Sequence, residues 1–213
     1  MNRDEFLKAV KEDPYQIEKA DEAFKKDKEI VLAAVKGNGS VLEYVHASLK
    51  KDREVVLAAV KNGGNALEFA DKLFRKDKEI IMTALEEYGD YLKYADVSLK
   101  KDKKIVMTAV EQNGYSLRYA DNSLKKDRDL ALEAVKTNGN ALDFIDASLK
   151  KDKEITLNAV KNEGRALEYA DASFKKDKEI VLAAVNQAGG DAIEFADKSL
   201  KKDKDIVKAS KKK

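Results

Sequence analysis

Few residue types in this chain have the chemistry that catalysis or metal binding requires. The sequence has no cysteine and a single histidine, His46. The absence of cysteine removes disulfides and cysteine-based zinc sites, and one histidine leaves almost no material for the Ser–His or Cys–His pairs of nucleophilic catalysis. A histidine that acts as a general base or metal ligand needs partners, and none recurs beside His46. We interpret His46 as a variable exposed position. We expect no catalytic residue, no metal and no cofactor, so the protein is not predicted to be an enzyme.

Pairs of basic residues recur along the chain and could bind an anionic partner. The triplet Lys-Lys-Asp, once Arg-Lys-Asp, returns every 25 residues from Asp27 to Asp177, and the last step, to Asp203, is 26 residues. Stacked repeats would space such pairs by about 10 Å, and a row of cations could follow a phosphate backbone. The candidate ladder comprises Lys50, Lys51, Lys100, Lys101, Lys125, Lys126, Lys150 and Lys151. We favour the alternative that these lysines complement a helix C-terminus and stay solvated.

An aromatic residue recurs with the same period. The series is Tyr44, Phe69, Tyr94, Tyr119, Phe144, Tyr169 and Phe195. It could be a platform on which bases stack, but Tyr and Phe interchange freely, so no hydroxyl group is required. A buried core stripe fits that interchange better.

One position in the repeat varies while its surroundings stay fixed. It reads Ser40, Asn65, Asp90, Tyr115, Asn140 and Arg165 in successive copies. In the middle copies the same edge gains Tyr88 and Tyr91 beside Tyr115. Exposed tyrosine is a common anchor of protein interfaces. Tyr88, Tyr91 and Tyr115 are therefore the candidate partner-binding residues, and local variation without selection for binding is the competing explanation.

All these residues belong to one repeating frame. About eight copies span residues 2–26, 27–51, 52–76, 77–101, 102–126, 127–151, 152–176 and 177–202, and a C-terminal cap covers 203–213. An extra glycine at Gly189-Gly190 explains the longer last step. We expect one elongated domain over residues 1–213.

Each copy predicts a helical hairpin. Asp27 is a good N-cap for a first helix of about ten residues, and Ile30, Val31, Ala34 and Val35 form its apolar face. Helices this short are not stable alone, so each copy must stack on its neighbours. The predicted fold is an all-α solenoid.

The ends of these helices also follow from the sequence. Glycine is expected to end the first helix as a left-handed cap, at Gly39, Gly89, Gly114, Gly139 and Gly164. Ser40 with Glu43, and Asn65 with Glu68, predict capping boxes for a second helix. That second helix should point Leu42, Tyr44, Val45 and Leu49 inward. A final short turn should be capped by Asp71, Asp96, Asp121, Asp146, Asp171 and Asp197.

Both ends of the chain carry polar residues where inner copies are apolar. Glu5 replaces Ile or Val, Lys19 replaces Tyr or Phe, and Pro14 replaces Gly; near the other end Lys208, Ser210 and Lys211 replace Leu, Ala and Val. Terminal repeats of a solenoid shed apolar surface in this way. We expect capping repeats, a complete array and a monomer rather than a filament.

The consensus of the copies resembles a known repeat family. The pattern Asp-Lys-Glu-Ile-Val-Leu-Ala-Ala-Val-Lys-x-Asn-Gly-x-Ala-Leu-Glu-Tyr-Ala resembles the bacterial family named domain of unknown function 4116, over nearly the whole chain. The resemblance implies a helical repeat fold, and it implies no activity, cofactor or catalytic residue.

Composition narrows the classes of partner. The formal net charge is +2, and the last three residues are lysines, so the rest of the chain carries −1 and lacks the excess of a nucleic-acid binder. There is no long apolar run and no signal-peptide pattern at the start, which together with the absence of cysteine predicts a cytoplasmic protein without a membrane partner or a small-molecule substrate. We predict protein–protein interaction or scaffolding. RNA binding along the lysine ladder and a purely structural spacer are the alternatives.

Overall fold

The computed structural model describes residues 1–211, and within that range every regular element is helical. Long α-helices are α1 (Arg3–Glu12), α3 (Lys28–Gly37), α4 (Arg53–Val60), α5 (Lys78–Glu87), α7 (Lys103–Gln112), α8 (Arg128–Thr137), α9 (Lys153–Asn162) and α10 (Lys178–Ala188). Short α-helices are α2 (Glu22–Lys26), α6 (Val97–Lys100), α11 (Gly190–Ile193) and α12 (Lys204–Ser210). The predicted all-α repeat fold is confirmed.

Successive long helices pack side by side within two compact units. The first unit is Met1–Leu99 and contains α1, α3, α4 and α5; the second begins at Lys100 and contains α7 to α10 with α12. Each long helix contacts the next one of its unit, as stacked repeats require. That residues 1–213 form a single elongated domain stays a prediction.

In the first seven copies the second helix is a 3-10 helix and not an α-helix, whereas in the eighth copy it is the short α-helix α11. The 3-10 helices are Pro14–Lys19, Gly39–Tyr44, Gly64–Glu68, Gly89–Tyr94, Gly114–Tyr119, Gly139–Phe144 and Gly164–Tyr169. Five or six residues are too few for a stable α-helix, and the tighter 3-10 geometry is common in such short connections. A third short turn follows, for example Leu49–Lys51 or Lys72–Lys76.

The predicted caps are confirmed at the start of the long helices and wrong at the start of the 3-10 helices. Asp27 accepts hydrogen bonds from the N–H groups of Glu29 and Ile30, and its equivalents do the same. The capping box of Ser40 with Glu43 does not form, because Asn38 caps that helix and accepts from the Ser40 N–H at 2.9 Å.

The capping box of Asn65 with Glu68 is also absent. The helix Gly64–Glu68 has Gly63 as its N-cap, and no side chain accepts a capping hydrogen bond there. Both capping boxes were placed too late, because each 3-10 helix begins at the glycine and not after it. The predicted aspartate caps of the third turn are confirmed, as Asp121 shows by accepting from the Ser123 N–H at 3.0 Å.

The repeated glycines serve close packing and not a left-handed backbone, so that prediction was wrong. Among the described residues only Gly63 and Gly189 have a positive φ. A Cβ atom on Gly39 would overlap the carbonyl oxygen of Ala59 in the next long helix. Gly114, Gly139 and Gly164 meet the carbonyls of Ala134, Ala159 and Ala184 in the same way. Glycine is needed at these positions because two backbones approach too closely for a side chain.

Across the same contact, one side chain forms two hydrogen bonds with main-chain groups of the copy before it, an arrangement we call the side-chain stitch. Asn162 Oδ1 accepts from the Gly139 N–H at 2.7 Å, and Asn162 Nδ2 donates to the Lys136 carbonyl at 2.8 Å. Gln187 forms the equivalent pair with the Gly164 N–H and the Asn162 carbonyl. The side chain of one copy thus satisfies main-chain groups at a helix end of the copy before it.

The first copy replaces this stitch with a ring packed against a glycine. Pro14 takes the place of Gly139 and has no N–H group to donate, so a side-chain acceptor at the end of α3 would have no partner. The residue of α3 equivalent to Asn162 is Gly37, where a Cβ atom would overlap the Pro14 ring. The two unusual residues therefore fit one another.

The apolar faces of the long helices form the core, as predicted. Ile30, Val31, Ala34 and Val35 are fully buried, and so is Leu42 of the 3-10 helix. Val45 and Leu49 are also buried. The aromatic series from Tyr44 to Phe195 is only half-buried, so the prediction of a buried aromatic stripe was wrong: one part of each ring stays in contact with solvent.

Most of the polar residues expected at the terminal copies are exposed. Glu5, Lys19, Lys208 and Lys211 are exposed, and Ser210 is half-buried, whereas the inner residues Ile30 and Val55 equivalent to Glu5 are fully buried. Pro14 begins the first 3-10 helix. Lys212 and Lys213 of the predicted C-terminal cap lie outside the described residues.

A ladder of ion pairs joins the N-termini of neighbouring long helices. Arg3, the first residue of α1, contacts both Asp27 and Glu29 at 2.6 Å. The same bridge is formed by Lys28, Arg53, Lys103, Arg128, Lys153 and Lys178, each with the N-cap Asp of the next copy and the acid two residues later, at 2.5 to 3.2 Å. Each bridge places a cation next to the carboxylate that caps the next helix, and so fixes the register of the stack.

Replacing Gly114 by alanine should destabilise the protein by about 1–3 kcal/mol, because the added Cβ overlaps the main chain of α8. The control is Gly190→Ala, where no atom lies within 4 Å of the added Cβ; its effect should stay within about 1 kcal/mol. Urea denaturation followed by circular dichroism measures both. Equal midpoints for the two variants would contradict the close-approach explanation.

The ladder should make stability fall in acid. The hydrogen bond from Arg53 lowers the pKa of Asp77, and a carboxyl group whose pKa is lowered by folding stabilises the protein above its unfolded pKa of about 4 and loses that contribution as pH falls through its folded pKa. Arg53→Gln should raise the pKa of Asp77. Carboxyl-carbon NMR titration tests this, with Asp152, which is paired with Arg128, as the internal control that should not move.

Candidate interaction surfaces

The lone histidine has a structural contact. His46 Nδ1 accepts from the Ser48 N–H at 3.2 Å and lies 2.8 Å from the Ser48 hydroxyl. Asp121 makes the same two contacts with Ser123 in another copy. His46 therefore stands in for the aspartate that caps this turn. Within residues 1–211 there is no group of three or more histidine, cysteine, aspartate or glutamate residues arranged to hold a metal ion.

The lysine ladder divides into two rows with different environments. Lys50, Lys125 and Lys150 direct their ammonium groups at the last carbonyls of the preceding 3-10 helix. The Nζ–O distances are 2.6 Å to Glu43, 3.1 Å to Arg118 and 2.8 Å to Asp143. Burial lowers the pKa of Lys50 and of Lys150. These contacts support the interpretation of the first lysine as a helix cap.

The second lysine of each pair is exposed. Lys51 and Lys101 lie 3.8 and 3.9 Å from the carboxylates of Asp71 and Asp121. Lys126 and Lys151 are exposed as well, and Lys100 is half-buried like the other first lysines. The row that faces solvent is therefore formed by the second lysines alone, which are half of the predicted ladder. Aspartates lie beside Lys51 and Lys101 in this row.

Three tyrosines of one edge form a cluster in the first unit, which we call the tyrosine cluster: Tyr88, Tyr91 and Tyr94. Tyr91 lies edge-on to Tyr88, with ring centroids 5.7 Å apart, and stacks near Tyr94 at 6.2 Å. The half-buried Tyr91 covers Gly64, where a Cβ atom would overlap its ring, and burial raises its pKa. Tyr94 donates from its hydroxyl to Glu68 at 3.1 Å. Tyr88 is 47% exposed. The cluster therefore presents one aromatic side chain to solvent, with its ring packed against Tyr91.

Tyr115 belongs to a second cluster, in the second unit, which we call the arginine–aromatic cluster: Tyr115, Arg118, Tyr119 and Phe144. The Arg118 guanidinium lies 4.4 Å from the Tyr115 ring centroid and 4.5 Å from that of Tyr119, and it also donates to the Tyr119 hydroxyl. Tyr115 contacts Phe144 edge-on at 4.8 Å. The structure thus brings Tyr88 and Tyr91 together, and it gives Tyr115 different neighbours.

Sequence reasoning missed Arg118 and the cations of the ion-pair ladder. The ladder had a clear signal: residues 3, 28, 53, 78, 103, 128, 153 and 178 are all Lys or Arg, and each is followed by the N-cap aspartate of the next copy, 24 residues later except for the last, where the distance is 25. Arg118 had no such signal, because its equivalents differ in charge.

None of the helices in the described part of the chain has the length and apolar character that a membrane crossing requires.

Comparison with known proteins identifies the family. The model of the family described as domain of unknown function (DUF4116) matches residues 2–50, 37–75, 77–125, 127–175, 152–191 and 177–213. The chain therefore belongs to this family, as the sequence pattern indicated. Several of the matches, such as 77–125, span two of the 25-residue copies. No curated protein and no solved structure gives a significant match.

Proposed function

We propose that this member of the DUF4116 family is a non-catalytic interaction protein that binds a protein partner through its 3-10 helices, as a scaffold does. The observation that carries the proposal is the tyrosine cluster. Nearly half of Tyr88 is exposed to solvent. Its ring packs against Tyr91, which in turn packs against Tyr94. A rigid, partly exposed aromatic residue is the typical anchor of a protein interface, since it buries much area at small entropic cost.

The use of the other polar side chains supports this choice. The aspartates cap helices, the cations at the starts of the long helices bridge to the next copy, and Lys50, Lys125 and Lys150 bind carbonyl groups. These residues stabilise the repeat fold. Two residues that vary between copies, Tyr88 and Tyr115, lie on the 3-10 edge, at positions that are mostly small and polar in other copies. Such positions are where a repeat protein carries specificity.

The arginine–aromatic cluster offers a second anchor of similar chemistry. Arginine and tyrosine are both enriched at the centres of interfaces, and Arg118 is held between two tyrosine rings. We place the protein in the cytoplasm, in keeping with a chain that has no cysteine. We expect a monomer, in keeping with the exposed polar residues Glu5, Lys19 and Lys208 of the terminal copies.

Tyr88→Ala should lower the recovery of a saturable protein partner by at least about tenfold, as the loss of an interface anchor does. The assay is affinity capture from a lysate on the immobilised protein, quantified by mass spectrometry over a dilution series. Tyr15→Ala is the matched control, because Tyr15 is 45% exposed but belongs to the first copy and neither cluster. Equal losses with both variants would count against the tyrosine cluster, and no saturable partner at all would favour a structural spacer.

Mixed-sequence RNA and DNA should not be retained at moderate salt. The first lysines are engaged with carbonyl groups, and the exposed second lysines stand beside aspartates. Fluorescence polarisation with labelled RNA and DNA measures this directly. Tight binding that collapses with added salt, and that Lys51→Gln with Lys101→Gln weakens, would establish the nucleic-acid alternative instead.

A further inference from the structure

The long α-helices carry an apolar row on the side that faces away from the core. Leu7 of α1, Leu32 of α3 and Leu57 of α4 occupy the same helix position and are half-exposed. Ala33 and Ala58 follow them and are also half-exposed. Small and apolar residues at these adjacent positions leave the helix–helix grooves open.

Two grooves run between these helices. The groove between α1 and α3 has a volume of about 480 Å³ and is lined by Leu7, Lys11 and Leu32 among others. The groove between α3 and α4 has a volume of about 270 Å³, with Lys36, Leu57 and Lys61 in its wall. Leucine side chains therefore alternate with grooves across three consecutive helices.

A row of unpaired cations borders these grooves. Lys11, Lys36 and Lys61 stand four residues after the three leucines, are exposed, and form no ion pair with any described residue. The two glutamates that line the grooves, Glu29 and Glu54, are paired with Arg3 and Lys28. Glu12 follows Lys11 in the last turn of α1 but does not line the groove. The free charge along the grooves is positive.

The positive row has a sharp end. In α5 the equivalent of Lys61 is Glu86, and Glu87 follows it. Both line the next groove, between α4 and α5, which has a volume of about 410 Å³. An acidic ligand that lies across α1, α3 and α4 would be repelled on reaching α5, so the charge pattern sets the length of the site.

We infer that this surface, formed by α1, α3 and α4, binds an extended peptide segment with apolar and acidic residues repeated every third position. Neighbouring packed helices lie about 8–10 Å apart, and a polyproline II segment advances about 9 Å in three residues. Every third side chain of such a peptide therefore meets the next leucine, and a carboxylate in each turn reaches Lys11, Lys36 or Lys61. This match requires helices that run side by side in one direction. Ion pairs join the N-termini of α1, α3 and α4, and Lys11, Lys36 and Lys61 near their C-terminal ends line shared grooves.

This site is independent of the tyrosine cluster. Its residues belong to the long helices and not to the 3-10 helices, and none of them is Tyr88, Tyr91 or Tyr94. A protein with both surfaces could hold two partners at once, which goes beyond the proposed function.

The test is a selection of displayed random peptides of about twelve residues, four polyproline II turns, on the full-length protein. Enriched peptides should combine apolar with acidic residues three positions apart. A labelled enriched peptide is then measured by fluorescence polarisation against Lys36→Glu/Lys61→Glu, which should lower its affinity at least tenfold. The control is Lys26→Glu/Lys76→Glu, the same change of charge at two exposed lysines of the first unit that do not line the grooves, which should leave the affinity unchanged.

Enriched peptides without acidic residues, or equal affinity for both double variants, would overturn the inference. Circular dichroism of each variant verifies that the helices remain folded. Binding to phosphatidylserine vesicles that Lys36→Glu/Lys61→Glu abolishes, with no peptide enriched, would assign the surface to a lipid headgroup and also overturn it. Tyr88→Ala should leave peptide affinity unchanged, so failure here is distinguishable from failure of the proposed function.

Discussion

Within each unit, the close approach of a 3-10 helix to the following long α-helix is the constraint on which the rest of the structure depends. At Gly39, Gly114, Gly139 and Gly164 the main chain lies against a carbonyl of the following copy, with no room for a side chain. This contact sets the spacing of the copies at one end of each long helix. The ion-pair ladder does the same at the other end, where a cation of one copy holds the N-cap carboxylate of the next.

In α8, for example, neighbouring copies complete both ends: Lys103 binds the N-cap Asp127, and Asn162 donates to the Lys136 carbonyl. Stability and register therefore come from the same contacts. A ten-residue helix is marginal in water, and here its N-terminal N–H groups are capped by an aspartate that the previous copy holds in place. The stitch made by Asn162 and Gln187 satisfies main-chain groups of the copy before. The pair of Pro14 and Gly37 shows that the contact adapts when the N–H group is missing.

Because these contacts stabilise the repeats, two surfaces are left for binding: that of the 3-10 helices and that of the long α-helices. On the surface of the 3-10 helices, Tyr88, Tyr91 and Tyr115 replace the smaller residues that most other copies carry at these positions. On the long α-helices, unpaired lysines border the row of Leu7, Leu32 and Leu57. This positive border ends at α5, where Glu86 replaces the lysine. The first is an aromatic anchor and the second a charged apolar groove, and their chemistry suits different partners.

The sequence by itself determined the period, the all-α class, the N-cap aspartates, the buried face of the long helices and the polar character of the end copies, because these depend on residue type at a regular spacing. It did not determine the 3-10 geometry, the role of the glycines or the half-exposure of the aromatic series. Those depend on how closely one copy approaches the next. A glycine that relieves backbone strain and a glycine that makes room for a neighbour's carbonyl have the same letter, and only the packed chain distinguishes them. The pairing of Arg118 with two tyrosine rings was likewise decided in three dimensions, since no repeated pattern marks it.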